Sequence, residues 1–277
     1  MNVSIPFLRG KTIPLSLPRR FVCDLLSFAK QVPSIAMQKK MQLGELVEAR
    51  ARRSSRISWC AILLKAYATV AAARPELRRA YLSFPWGRLY EHPENVASFS
   101  LEREYEGENA VFFARVPRPE EMSLVALDKL VRRHKQAKVE SVTSYRQALL
   151  LSRLPLPLRR FIWWLGLCTD GMYRAHFFGT FAISVVASFG AASLKILSPL
   201  TTTLNYGTFE PDGSIDVRLT YDHRVMDGAT VARAMGHLDK VLRTQILEEL
   251  QALAEAELEA PSESAEGIAD VEQALAG

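Results

Sequence analysis

The run Tyr221-Asp-His-Arg-Val-Met-Asp-Gly228 sets a histidine and an aspartate four residues apart, where a strand-like stretch (215–221) meets a helix-like one (229–247). At i+4 the carboxylate lies on the same side of the turn as the imidazole. Neutral histidine is the side chain best matched to removing a proton near pH 7, so His223 is the candidate general base. An isolated H-x-x-x-D arises often by chance; the full string at a strand-to-helix junction is far more specific. The other four histidines lack such a setting. His92 precedes Pro93 in a loop-like stretch, His134 sits in a basic helical run, His176 precedes Phe177-Phe178, and His237 falls on the helix after the motif. These four read as surface or core residues.

The elements that must hold this junction follow from periodicity. Residues 94–105 and 109–116 alternate as strands do, and 181–186, 201–209 and 215–221 read as further strands, the last two joined by a Pro211-Asp-Gly-Ser turn. Residues 33–41 read as extended. Helical patterns cover 20–31 with Pro18 as a boundary, 43–53, 57–73 capped by Ser54, Ser55 or Ser58, 119–138 opening on Glu120-Glu121, and 143–151. Strands interleaved with helices, without regular βαβ repetition, indicate an α+β fold.

Composition bounds the function. With 277 residues, 48% of them hydrophobic, the chain can bury one large core or two modest ones. The opening Met1-Asn-Val-Ser-Ile-Pro-Phe-Leu-Arg9 shows no apolar stretch of signal-peptide length, and no run approaches the roughly 18 apolar residues of a membrane span. Cys23, Cys60 and Cys168 are odd in number and lack metal-type spacing, which argues against a disulfide framework or a zinc site and for a reducing cytosol. Charge is unevenly spread. Residues 248–277 hold nine acidic side chains and no Lys or Arg, leaving 35 basic against 21 acidic side chains in 1–247, a net +14. A body of that sign attracts phosphate-bearing cosubstrates or anionic lipid headgroups. Nucleic acid is not expected, since no reader motif is present. The organisation read from this is a single domain over 1–247 followed by an acidic Ala/Glu-rich tail over 248–277, helical or disordered.

The string 222–228 resembles the D-H-R-x-x-D-G signature of the catalytic domain of 2-oxoacid dehydrogenase acyltransferases, the dihydrolipoyl acyltransferase core. A looser form, H-H-x-x-x-D-G, marks the similar chloramphenicol acetyltransferases. Upstream, Gly179-Thr-Phe-Ala-Ile-Ser184 resembles their G-T-F-T-I-S segment, and Arg74-Pro-Glu-Leu77 resembles the P-E-L-N-type turn that closes a helix. The likeness runs from about Arg9 to Leu247. It implies a chloramphenicol-acetyltransferase-like fold, a mixed sheet flanked by helices, assembled as a homotrimer or a larger cage of trimers. It also implies acyl transfer with a coenzyme A thioester as co-substrate, His223 as base and the Ser184 hydroxyl on the oxyanion, the two coming from different subunits. Asp227 is implied to hold the active-site loop through an ion pair with an arginine, for which Arg9, Arg19 and Arg20 are candidates. Thr203 and Asn205, with Thr201 and Thr202, would line the substrate channel, and Gly228 would permit the close turn into the helix. No metal is implied.

Departures from the family refine the expectation. Neither a lipoyl domain nor a peripheral-subunit-binding domain is evident, so no covalently attached lipoyl group is expected. The I-S-N-L-G run of the complex subunits is here Ile183-Ser-Val-Val-Ala-Ser-Phe-Gly190. A free-standing acyltransferase acting on a hydroxyl, amine or thiol acceptor is the reading. The alternatives are the lipoyl-thiol acyltransferase core of a 2-oxoacid dehydrogenase complex and a non-catalytic scaffolding homologue. One segment, Leu154-Pro-Leu-Pro-Leu-Arg-Arg-Phe-Ile-Trp-Trp-Leu-Gly-Leu167, sets Arg159 and Arg160 beside Trp163 and Trp164. It reads first as a core helix packing its tryptophans inside, with an interfacial helix lying on the inner membrane face or holding a lipid tail as the alternative.

Overall fold

The computed structural model describes residues 9–184, 190–191 and 193–259. Its elements in chain order are α1 (Leu17–Ala29), β1 (Ser34–Gln42), α2 (Gly44–Ala51), α3 (Trp59–Ala73), β2 (Arg79–Leu82), β3 (Arg88–Glu91), β4 (Val96–Tyr105), β5 (Glu108–Pro117), α4 (Leu124–Gln136), α5 (Thr143–Arg153), α6 (Leu156–Trp164), α7 (Gly171–Phe178), β6 (Phe181–Ser184), β7 (Thr202–Phe209), β8 (Ser214–Asp222), α8 (Gly228–Val241) and α9 (Leu247–Glu259). Six strands form one mixed sheet in the order β1-β8-β7-β6-β4-β5, with β6 parallel to both its neighbours and the other pairs antiparallel. The α+β reading holds. The separate β2–β3 hairpin and α7 had no counterpart in the sequence reading, because four-residue strands give too little alternation to count.

Alternation makes each strand two-faced. On one face Phe99, Phe181, Ile183, Leu204, Val217 and Leu219 are buried and meet α3, whose Tyr67 packs edge-on to Phe181 with ring centroids 4.8 Å apart. This helix is apolar on nearly every side, as a helix enclosed in a core must be. Of the three candidate serines Ser58 is its cap, accepting from the Ala61 N–H at 3.3 Å, and Pro75 stops it at Ala73. At α4 the expectation of an acidic start was misplaced. Ser123 caps that helix, while Glu120 turns inward to accept from Asn95 Nδ2 at 2.7 Å.

The opposite face carries Ser98, Ser100, Ala182, Ser184, Thr203, Asn205, Arg218 and Thr220 in register across β4, β6, β7 and β8. At its β5 end it is roofed by aromatic contacts. Phe21 of α1 lies 6.0 Å from Phe113 and 5.0 Å from Trp163 of α6, and Trp163 also meets Phe28 and Phe178.

Three sequence expectations change here. Pro18 lies within the first turn of α1, where a missing N–H costs nothing, instead of outside the helix. Arg159 and Arg160 do not reach toward a lipid surface. Both bind Asp24 of α1, Arg159 Nε at 2.6 Å and Arg160 Nε at 3.0 Å, and Asp24 is 1% exposed. Trp163 is core; Leu156, Leu158, Phe161 and Ile162 are the outward apolar residues of α6. Finally, Leu247 is not a packing boundary. Leu250, Leu253 and Ala254 recur at helical spacing and pack inward, Glu249 accepts from the Leu124 N–H at 2.7 Å and pairs with Lys65, and Glu257 binds Arg53 and Ser54. Residues 260–277 lie outside the described residues. None of the helices described is long and apolar enough to cross a membrane.

A buried carboxylate shared by two guanidinium groups is costly to break, because the partners are left desolvated and unpaired. Asp24→Ala is therefore expected to lower unfolding free energy by about 3–5 kcal/mol in urea melts. A loss below 1 kcal/mol would show that the α1–α6 clamp is not structural.

Candidate active site

The Asp222-His-Arg224 triplet is a pinned turn. Asp222 is the last residue of β8 and fully buried; its carboxylate takes the Arg224 main-chain N–H at 3.0 Å, Nε at 2.9 Å and Nη2 at 2.7 Å. Arg224 lies over the Tyr81 ring, 4.3 Å from its centroid. Buried Arg174 adds positive charge to the same region while its own N–H groups bond the carbonyls of Tyr81, Leu167 and Pro199. Asp222 N–H donates to Thr201 O at 2.8 Å and His223 N–H to Pro33 O at 3.2 Å. The two residues flanking His223 thus bind each other, and the imidazole projects from the sheet's end with its side chain 43% exposed.

Asp227 sits one turn on, at the N-cap of α8, with Oδ1 3.6 Å from His223 Nδ1. Its side chain is 85% exposed, and among the described residues His223 is its sole ion-pair partner. None of the expected arginines pairs with it. Arg19 pairs with Glu108 at 3.4 Å, Arg20 Nε donates to Leu15 O at 3.1 Å, and Arg9 is exposed. The reason is the direction of α1. Its C-terminal end leads to Pro33 beside His223, which leaves Arg19 about 15 Å back along the helix axis. Gly228 opens α8 without a positive φ, and a Cβ there would meet Tyr221 Oη at 3.4 Å, an ordinary contact. Its place in the turn does not rest on glycine's conformational freedom.

Ser184 ends β6 beside Asn205 of β7 and shares a 3.4 Å hydrogen bond with Ser100. Thr203 lies beside Ala182, and Asn205 Nδ2 donates to Ser193 O at 2.6 Å. Thr203, Asn205, Arg218 and Thr220 are all buried, yet Thr203 Oγ1, Asn205 Oδ1, Arg218 Nη1 and Thr220 Oγ1 have no partner among the described residues. Buried polar atoms are normally paired, so this row across adjacent strands makes the polar face a candidate for binding a polar ligand. Arg218 and Thr220 belong to this row and were not among the expected candidates. The signal was there: in Ile215-Asp-Val-Arg-Leu-Thr-Tyr-Asp222 every second residue is polar.

The register also sets how far apart the strand positions that carry the two candidate groups lie. Ser184 pairs with Asn205, which pairs with Arg218, and Asp222 is four residues beyond Arg218 on β8. Four strand residues and two strand spacings put the Asp222 and Ser184 backbones of one chain roughly 16 Å apart. Within one chain the backbones that carry the two candidate groups therefore stand well apart on the sheet.

The remaining histidines are elsewhere. His134 Nδ1 lies 2.9 Å from Leu130 O, His176 is exposed against Phe177, and His237 is half-buried on α8. His92 is 2% exposed with neither ring nitrogen paired among the described residues. Burial, with Arg174 and Arg78 nearby, pulls its pKa down to about 4. Unfolded histidine titrates near 6.5, so between these values the unfolded chain binds a proton that the folded chain refuses. Stability should fall as pH drops from about 6.5 to about 4, by about 3 kcal/mol in all, and His92→Phe should remove that share of the acid sensitivity. Denaturant melts at pH 7, 5.5 and 4 check this; identical slopes for the two proteins would refute it.

No protein-family model and no curated protein sequence matches this chain. Solved structures do. The dihydrolipoamide acetyltransferase of Azotobacter vinelandii, studied for a serine, a histidine and an asparagine in its catalytic mechanism, superposes with a TM-score of 0.65 at 17% identity, over 89% of this chain and 100% of that one. The cubic core of the pyruvate dehydrogenase multienzyme complex gives 0.60 at 18% identity, over 89% and 100%. Chloramphenicol acetyltransferase gives 0.52 at 14% identity, over 78% and 92%. With its six-stranded mixed sheet and flanking helices, the chain has the chloramphenicol-acetyltransferase-like fold that these acyltransferases share.

Proposed function

We propose that the chain is an acyltransferase that moves an acyl group from a coenzyme A thioester to a hydroxyl, amine or thiol acceptor, at a site formed by His223 of one subunit and Ser184 of another. The observation that carries this reading is the register itself. A general base and an oxyanion donor must both lie about 3 Å from the reacting groups, and the roughly 16 Å between the Asp222 and Ser184 backbones of one chain favours a site shared between chains. A trimer or larger assembly of trimers brings them together by symmetry.

In this reading Asp227 at Nδ1 favours the tautomer with the proton on that nitrogen, which leaves Nε2 free to take a proton from the acceptor. The acceptor heteroatom attacks the thioester carbonyl, and the Ser184 hydroxyl, held by Ser100, donates to the developing oxyanion. The intermediate collapses with cleavage of the C–S bond, and the coenzyme A thiolate takes the proton from the His223 imidazolium. Thr203 and Asn205 line the approach, with Arg218 and Thr220 beside them, and the net positive body attracts the phosphates of coenzyme A. The cosubstrate is coenzyme A, with no metal and no lipoyl group attached to this chain. Leu156, Leu158 and Phe161 are the part of α6 available to an inner-face lipid surface of a cytoplasmic enzyme.

The fold likeness to dihydrolipoamide acetyltransferases favours a second reading, in which the acceptor is a lipoyl thiol on a separate protein. Thiol release from acetyl- to palmitoyl-coenzyme A, with dihydrolipoamide or a pool of alcohols and amines as acceptor, separates the two. His223→Ala is expected to lower kcat/KM about 10²–10⁴-fold and Ser184→Ala about 10²–10³-fold. Turnover with dihydrolipoamide alone would select the lipoyl reading. Release that His223→Ala leaves unchanged would reject both and leave a scaffolding role.

A further inference from the structure

A cavity of about 520 Å³ lies between the β5 end of the polar sheet face and the helices α1, α5, α6 and α7. Its walls are apolar, with Phe21, Leu25, Phe113, Leu149, Trp163 and Phe178 among them. Arg115 is the one charged side chain among its lining residues, and its guanidinium is already engaged, donating to Phe177 O and to Gln147 Oε1. Nothing in the wall calls for a charged ligand. Where backbone approaches, small residues keep the space open: Ala148 on α5, Gly166 after α6 and Ala182 on β6. The volume falls in the range of small-molecule sites, and an apolar cavity of this kind favours an apolar guest over water.

Its position sets what that guest is. Ala182 and Ser98 line the cavity, and Ser184 and Ser100 are the next residues along the same strands on the same face, about 7 Å away. A chain lying in the cavity along β6 points toward the Ser184 hydroxyl, the group assigned to the acyl carbonyl. The lining also reaches exposed apolar residues of α7, Tyr173 and Phe177, and Ile162 and Leu165 at the end of α6, so the cavity opens outward and does not close abruptly on a short chain. Acetyl transfer needs none of this volume.

We infer that this cavity is the acyl-chain site: it takes the aliphatic tail of a medium- or long-chain acyl donor and delivers its thioester carbonyl to Ser184. The inference rests on the acyl-transfer reading of Ser184 but is tested apart from turnover. Non-reactive thioethers of coenzyme A with ethyl, octyl and dodecyl groups would be titrated into the full-length protein by calorimetry, with Trp163 fluorescence as a local reporter. Each buried methylene is worth about 0.8 kcal/mol, so octyl should bind at least ~100-fold more tightly than ethyl. Ala148→Trp and Ala182→Phe fill the cavity from the helix side and the sheet side. Each should abolish that gain while thermal melts show a folded protein; two sites are used because either replacement alone could overpack.

Equal affinity for ethyl and octyl would overturn the inference, as would a chain-length gain that both folded variants retain. Tight binding of 1-decanol without any gain in the thioether series would move the chain to the acceptor and also overturn it. A gain that both variants lose, in a protein with no His223-dependent turnover, would keep the cavity as an aliphatic-chain site and reject acyl transfer. Acetyl turnover without a chain-length gain would do the reverse.

Discussion

The fixed register of β6, β7 and β8 is the constraint on which the rest of this molecule depends. One-residue slips in a sheet move every side chain to the other face. Here the apolar face, from Phe99 through Ile183 and Leu204 to Leu219, is locked against α3, and that locks the polar face as well. Ser184, Asn205 and Arg218 then stand side by side, and His223 is carried past the end of the same sheet. Both the buried polar row and the distance between the two candidate catalytic groups follow from this single pairing pattern.

Holding polar groups in the interior is costly, and the structure offsets that cost locally. Asp222, fully buried, is matched by Arg224 with three hydrogen bonds and by the nearby charge of Arg174. Asp24, equally buried, is matched by Arg159 and Arg160. The unpaired atoms of Thr203, Asn205, Arg218 and Thr220 stand in contrast. Within the proposed function, a polar ligand approaching this face is what these atoms would pair with. The π-helical turn between α8 and α9 continues the helix into Leu250 and Glu249, which tie the far end of the chain to α3 and α4.

Much of this is legible in the residues. The strands of the sheet and the helix after His223 follow from alternation and 3.6-residue periodicity, and the D-H-R-x-x-D-G string marks the turn. The partners of the turn are not legible. Arg224 sits inside the motif, yet distant Arg9, Arg19 and Arg20 look equally able to pair with its carboxylates, because sequence gives charge but not the direction of α1. Likewise Arg159 and Arg160 beside two tryptophans carry the composition of an interfacial helix. Only the position of Asp24 across the α1–α6 contact shows that their charge is used internally. The cavity is a property of packing among α1, α5, α6 and α7, none of which is adjacent to β6 in the chain except α7. No local pattern encodes it.

The central claim is that one catalytic site needs two subunits, and mixing two inactive variants tests it most directly. His223→Ala and Ser184→Ala chains would be co-expressed, purified as mixed oligomers and assayed for acyl-coenzyme A thiol release. If each site joins His223 of one subunit to Ser184 of its neighbour, random mixing restores about a quarter of the wild-type sites, far above either variant alone. If each subunit held a complete site of its own, mixing would restore nothing, and a site shared between subunits would be ruled out.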